Sequence, residues 1–146
     1  MAARSQPPDA RRRNVETVRR FLRLLEEKDI DAWIELWAEG ADQFYPYGTR
    51  MFPAHIVGVT AVYSRWKGTP DAFESWAFPL VDAWADGDTV VARFDGDCLL
   101  KTGKRYRNHY LSIFKFTDAG LIYEYHEYFD PIVAAEDFGL ARITYH

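Results

Sequence analysis

The stretches RYRNHYLSIFKF (residues 105–116) and LIYEYHEYF (121–129) decide how this chain reads. They are joined by Thr117-Asp118-Ala119-Gly120 and closed by Asp130-Pro131. Both alternate ring-bearing or apolar residues with polar ones, the period-two spacing of a strand. A tight turn at Thr117–Gly120 makes them an antiparallel hairpin with Ser112 opposite Tyr125. One face then carries Asn108, Tyr110, Ser112, Phe114, Phe116, Tyr123, Tyr125, Glu127 and Phe129. The other carries His109, Leu111, Ile113, Lys115, Ile122, Glu124, His126 and Tyr128. A slip of one residue would mix the faces. Upstream, residues 89–101 and 73–85 read as two more long strands, turned by Thr102-Gly103 and Asp86-Gly87-Asp88. Together they form a four-strand antiparallel meander.

Ahead of the meander the apolar period is helical. Val15, Val18, Phe21, Leu22, Leu24 and Leu25 mark a helix over 12–28, with its arginines on a solvated face. Trp33, Ile34, Leu36 and Trp37 mark a second, starting near Asp29 and ended by Glu39-Gly40-Ala41-Asp42. Gln43 to Gly48 reads as a short strand running into a turn, and 49–56 as a loop. A third helix covers 58–67, stopped by Gly68-Thr69-Pro70-Asp71. A short helix over 131–138 closes the chain. The expectation is one α+β domain over 11–146 behind a flexible arm, 1–10.

Composition fits that frame. The chain has 146 residues, 48% hydrophobic and 27% charged, which is the balance of a folded globular domain. Its 5 Trp, 9 Tyr and 10 Phe imply a thick aromatic core, an apolar pocket or an aromatic interface. The net charge of −4 argues against a general nucleic-acid binder. The lone Cys98 excludes an intramolecular disulfide and reads as a small core residue. No apolar run approaches a membrane span, and no apolar segment follows the N-terminal arginines as in a secretory signal. The expected location is the cytoplasm.

The element order, with Asp29-Ile30-Asp31-Ala32-Trp33 and the closing Phe114–Pro131 segment, resembles the NTF2-like superfamily, and within it the SnoaL-like proteins. A narrower likeness is to the phenazine-biosynthesis A/B proteins. It rests on Tyr106-Arg107-Asn108-His109-Tyr110-Leu111, on the Pro70-Asp71 turn, and on Glu127 followed by an aromatic. The resemblance implies three N-terminal helices packed on a strongly curved antiparallel sheet that wraps a cone-shaped cavity. It also implies a homodimer through the sheet. Those proteins carry a histidine in the helix that here reads Thr60-Ala61-Val62-Tyr63, which has none. Ketosteroid isomerases share the fold, and their catalytic positions would fall near Phe21, Tyr45 and Ser112. Phe21 can neither donate nor accept a proton, so that activity is not expected.

The same alignment turns the Ser112–Glu127 face into the cone. Extending the pairing across Thr102-Gly103 would send Val91, Arg93, Asp95 and Asp97 inward as well. Glu127 is the catalytic candidate: desolvation among aromatic walls raises the pKa of a carboxyl, which can then act as a general acid or base near neutral pH. The alternatives are a salt bridge to Arg93 or Arg107, or exposure at the rim. Candidate ligand-binding residues are Tyr45, Arg93, Asp95, Asn108, Tyr110, Ser112, Phe114, Tyr125 and Phe129. Arg93 could hold an anion, and Asn108 and Tyr110 offer hydrogen bonds. Tyr47 and His55 could reach the cavity mouth. His109 and His126 fall on the opposite face, where interface packing or, with Glu124, a metal would suit them; no metal or cofactor is assigned. Two functions fit. One is a cofactor-free isomerase, cyclase or dehydratase acting on an aromatic or polyketide-like small molecule. The other is a non-catalytic ligand-binding or dimeric assembly module.

Overall fold

The apolar stripe near the N-terminus forms α1 (Pro8–Glu26), with Val18, Phe21, Leu22 and Leu25 buried along one side. The computed structural model describes residues 8–146. Pro8 to Ala10 of the expected arm therefore belong to α1, and residues 1–7 lie outside the described residues. Lys28 turns the chain at a φ of 60°, a costly conformation for a side-chain-bearing residue. Its Nζ donates to the Phe73 carbonyl at 2.7 Å, which anchors the turn. Asp29 then caps α2 (Ile30–Ile34) by accepting from the Ala32 amide at 3.0 Å.

The second helix is shorter than its spacing predicts. Trp37 does not continue it but opens β1 (Trp37–Phe44). Trp33 and Trp37 still meet, their rings 5.2 Å apart, across the helix–strand junction. A contact at i, i+4 was thus made by the chain's bend and not by a helical turn. The chain continues through β2 (His55–Val57), α3 (Val59–Trp66) and a 3-10 turn over Thr69–Ala72. Next come β3 (Phe73–Ala77), β4 (Leu80–Asp86), β5 (Thr89–Leu100), β6 (Arg105–Phe116), β7 (Ile122–Phe129) and α4 (Pro131–Asp137). The expected strand over 73–85 is therefore broken at Phe78-Pro79. Pro79 has no amide to give to a ladder. The Phe78 amide donates instead to Glu26 Oε1 at 2.6 Å, tying this bend to the end of α1.

The sheet runs β2-β1-β7-β6-β5-β3, with β4 also on β5. It is curved and unclosed, with helices packed against it, as an α+β NTF2-like cone requires. All neighbours are antiparallel except β1 and β7, which pair in parallel. No described helix is long and apolar enough to cross a membrane.

Register decides which side chains face inward, and two hairpins resolve it differently. Between β5 and β6, Leu100 pairs with Lys104 around a three-residue loop whose Gly103 has φ 89°. That loop is one residue longer than Thr102-Gly103 alone, so the faces of β5 exchange. Val90, Ala92, Phe94 and Cys98 point inward, and Arg93 and Asp95 point out. Between β6 and β7, Thr117 pairs with Leu121 around another three-residue loop, with Gly120 at φ 85°. Here a bulge intervenes. Phe116 sits opposite Ile122, but Lys115 sits opposite Glu124, so Tyr123 is the extra residue. The loop shifts the register by one and the bulge by one more. Ser112 pairs with Glu127 instead of Tyr125, yet the inward face of β7 beyond the bulge is the expected one. Only the bulge departs from it: Ile122 is buried, and Tyr123 reaches out to donate to Asp88 at 2.8 Å.

Gly96 makes room on the inner face. A Cβ there would lie 2.8 Å from Cε2 of Tyr110, whose ring stacks on Phe94 at 5.0 Å. Gly96→Ala is expected to destabilise the fold by about 1–3 kcal/mol, because the ring must leave its stack. Urea unfolding of the two proteins measures it; an unchanged midpoint would mean that Tyr110 has space to move.

Candidate functional site

The inner face divides in two. At one end α1 fills it: Phe21 packs on Trp33, Phe114 and Tyr125 with ring centroids 5.0–5.3 Å apart. At the other end a cavity of about 110 Å³ remains. Tyr110, Phe94, Phe129 and Tyr106 form its sheet wall, and Phe52, Trp66, Phe78 and Phe138 help enclose it. Glu127 lies on that wall, half-buried, between the filled end and the cavity.

Among the described residues the carboxyl has one hydrogen-bond donor. Tyr125 Oη donates to Glu127 Oε1 at 2.7 Å, and Ser112 Oγ lies 3.0 Å from the same hydroxyl. Burial among rings raises the Glu127 pKa to about 7, and the Tyr125 bond only partly opposes this. No cation forms an ion pair with it among the described residues. Desolvation also pushes the phenols of Tyr45, Tyr110 and Tyr125 well above their ordinary range, and the nearby Glu127 adds to this. These hydroxyls keep their protons at neutral pH and act as donors.

A second polar group lies deeper. Tyr106 Oη and Tyr110 Oη are 2.6 Å apart. Asn108 Nδ2 donates to Tyr106 Oη at 2.9 Å and to the Asp130 carbonyl at 3.0 Å. The Asp130 amide donates back to Asn108 Oδ1 at 3.1 Å. Asn108 thus ties β6 to the start of α4 and orients the tyrosine pair without lining the cavity.

Of the residues singled out from the sequence, Glu127, Tyr45, Tyr110 and Phe129 come together on the cavity wall. Ser112, Phe114 and Tyr125 are inward but fully buried behind it. Arg93 and Asp95 are corrected: the register shift at Gly103 puts them on the outer face, where Asp95 Oδ1 meets His109 Nδ1 at 2.7 Å. No salt bridge joins Arg93 or Arg107 to Glu127; Arg107 pairs with Asp97 instead. His55 and Tyr47 also miss the cavity. His55 and His126 stack on either side of Phe44, at 4.1 and 4.5 Å, and Tyr47 packs on Tyr128 at 5.4 Å. No cluster of three metal-ligating side chains forms among the described residues.

Several cavity residues escaped the sequence reading. Phe94 and Cys98 were hidden by the one-residue register change. Burial pushes the Cys98 thiol up to about 12, so it stays protonated. Tyr106 was legible in principle, four residues from Tyr110 on the same face. Arg65 and Trp66 had no signal beyond their place at the end of a helix.

Glu127 binds its proton more tightly folded than unfolded. Between pH about 4.5 and about 7 the folded state therefore carries more protons, and this group subtracts stability as pH rises through that window. Glu127→Gln keeps an acceptor for Tyr125 and removes the titration. The melting temperature of the variant minus that of the native protein is expected to grow from pH 5 to pH 8. A flat difference would put the carboxyl back in its ordinary range.

Comparison with known proteins agrees with this architecture. The chain is 38% identical over 127 residues to the uncharacterized protein YesE of Bacillus subtilis (strain 168), covering 85% of this chain and 86% of that protein. It superposes with a TM-score of 0.79 on the crystal structure of a Bacillus subtilis protein provisionally named an isomerase, at 34% identity, covering 92% and 99% of the two chains. A phenazine biosynthesis-related protein from Pseudomonas aeruginosa superposes with a TM-score of 0.77 at 18% identity, over 94% and 92%. That likeness is one of fold, and it matches the resemblance read from residues 106–111. The SnoaL-like domain model matches residues 18–125, from α1 through the sheet to Tyr125. With most of its length in that match and the cone built as the match requires, the chain belongs to the SnoaL-like family.

Proposed function

We propose that the cavity binds a small molecule and that Glu127 transfers a proton to or from it, making the protein a cofactor-independent isomerase, cyclase or dehydratase. One observation carries this reading: a carboxyl on the wall of an aromatic cavity with its pKa raised to about 7. A general acid–base group works best when its pKa lies near the working pH. In an isomerisation, the carboxylate takes a proton from a carbon beside a carbonyl, and the bonding pair moves to leave an enolate. The resulting carboxylic acid returns the proton to another carbon, so no co-reactant is consumed. The protonated phenols of Tyr110 and Tyr45 can donate to the oxygen on which charge develops. Tyr125 holds the carboxyl in one orientation, and the surrounding rings keep bulk water from competing.

Hydrogen–deuterium exchange tests this without knowledge of the natural substrate. Single-ring ketones and polyketide-like lactones with a C–H beside a carbonyl are incubated in D2O with the protein. Protein-dependent deuterium uptake is expected, and Glu127→Gln is expected to slow it by at least a hundredfold. Equal rates for the two proteins would remove Glu127 from the chemistry.

We also propose that the outer face of the sheet is where two copies associate. Trp84 and Leu111 are exposed there, 52% and 41%, beside the partly buried Val91, Ile113 and Tyr128. Leu111→Glu is expected to convert a dimer to a monomer in sedimentation analysis. A native protein that sediments as a monomer at all concentrations would overturn this.

A further inference from the structure

We infer that the cavity selects a small, single-ring carboxylic acid, its ring among the aromatic walls and its carboxylate against Arg65 at the mouth. This deepens the preceding proposal and rests on it. Three observations lead here.

The first is size. A cavity of about 110 Å³ is smaller than the roughly 150 Å³ apolar cavity known to take one benzene ring. A single six-membered ring fills it with little rearrangement, and fused rings exceed it. The second is the wall. Phe94 and Tyr110 stack flat on each other, and Phe129 and Phe78 stand at steep angles to Tyr110, at 45° and 81°. Such walls offer both ring faces and ring edges to a flat guest.

The third is charge. Among the described residues Arg65 is the one cationic side chain on the cavity lining, and it is exposed, which puts it at the opening. Among the described residues no carboxylate forms an ion pair with its guanidinium. Its place is set locally. It lies in the last turn of α3, and Thr69 Oγ1 donates to its carbonyl at 3.1 Å, closing the helix end. The other ionisable groups on the lining are Glu127, Cys98, Tyr45, Tyr106 and Tyr110. When Glu127 carries its proton, all five are neutral and the lining holds a single positive charge. One monoanion balances it. A guanidinium presents two parallel donors to a carboxylate, so it fixes which end of the guest stays at the mouth. The opposite end of the ring is then directed inward, to the depth of the cavity.

Binding of benzoate, benzamide and 2-naphthoate by calorimetry separates the claims. The native protein and the variants Arg65→Met and Glu127→Gln are compared, with resonances of Trp66 and Tyr110 reporting where each compound sits. Benzoate is expected to bind at least tenfold more tightly than benzamide, which has the same shape without the charge. Arg65→Met is expected to erase that preference and leave benzamide binding unchanged, which also controls for folding. 2-Naphthoate is expected to bind at least tenfold more weakly than benzoate. If benzamide perturbs Trp66 and Tyr110 but matches benzoate in affinity, or if Arg65→Met leaves the preference intact, the acid selectivity is overturned while the cavity reading stands. If 2-naphthoate matches benzoate, the single-ring limit is overturned. If none of the three perturbs those residues, the inference falls together with the cavity reading.

Discussion

Where Glu127 points depends on one extra residue in β7. The three-residue loop ending at Gly120 sets a register in which the inward positions of β7 would be its even-numbered residues, as Ile122 still is. Continued to the end of the strand, that register would bury Glu124, His126 and Tyr128 and turn Glu127 outward. The bulge at Tyr123 re-phases the strand within a single step. From Glu124 onward Tyr125, Glu127 and Phe129 face the cone. Strand pleating has no intermediate positions, so the whole inner face of β7 beyond Tyr123 follows from this one insertion. The extra residue is itself held, through the Tyr123 hydroxyl on Asp88.

The cone then separates two environments that an aromatic-rich sequence could have merged. Phe21 enters from α1 and fills one end against Phe114, Tyr125 and Trp33. At the other end Phe78, beside the bend at Pro79, and the ring of Phe138 help enclose the cavity. Tyr125 bridges the two. Its ring belongs to the packed end, while its hydroxyl reaches the carboxyl at the edge of the cavity. A polar group at such a boundary keeps its hydrogen bond while losing most of its hydration, and this balance sets the proton affinity of Glu127.

The fold was legible because two periods, helical before residue 68 and alternating after it, survive in the residues themselves. The face of β7 carrying Glu127 was legible too, though by a route that hides a cancellation. An overlooked loop residue and an overlooked bulge shift the register in the same sense and together restore the parity. The β5 face was not legible, because the same loop error at Thr102-Gly103 meets no compensating bulge, and Arg93 and Asp95 exchange sides with Phe94 and Cys98. Trp33 and Trp37 illustrate a second kind of miss. Their spacing is helical and their rings do touch, but pairing of the backbone after Leu36 with β7 outweighs local propensity. The match to the SnoaL-like domain model ends at Tyr125, so the proposed role of Glu127 rests on the cavity around it and not on that match.

The parallel pairing of β1 with β7 also shapes how the chain acquires its structure. Trp37 meets Ile122, and Phe44 meets His126, across most of the length of the chain. A contact that closes so long a loop carries a large entropic cost and forms slowly. During synthesis, Trp33 and Trp37 leave the ribosome long before the strand that covers them. One edge of β1 therefore stays unpaired until β7 emerges. The pairings of β3, β4 and β6 with β5, by contrast, are local in sequence and can assemble early. The cavity, which needs Tyr45 from one side and Phe129 from the other, is complete only once β7 is in place.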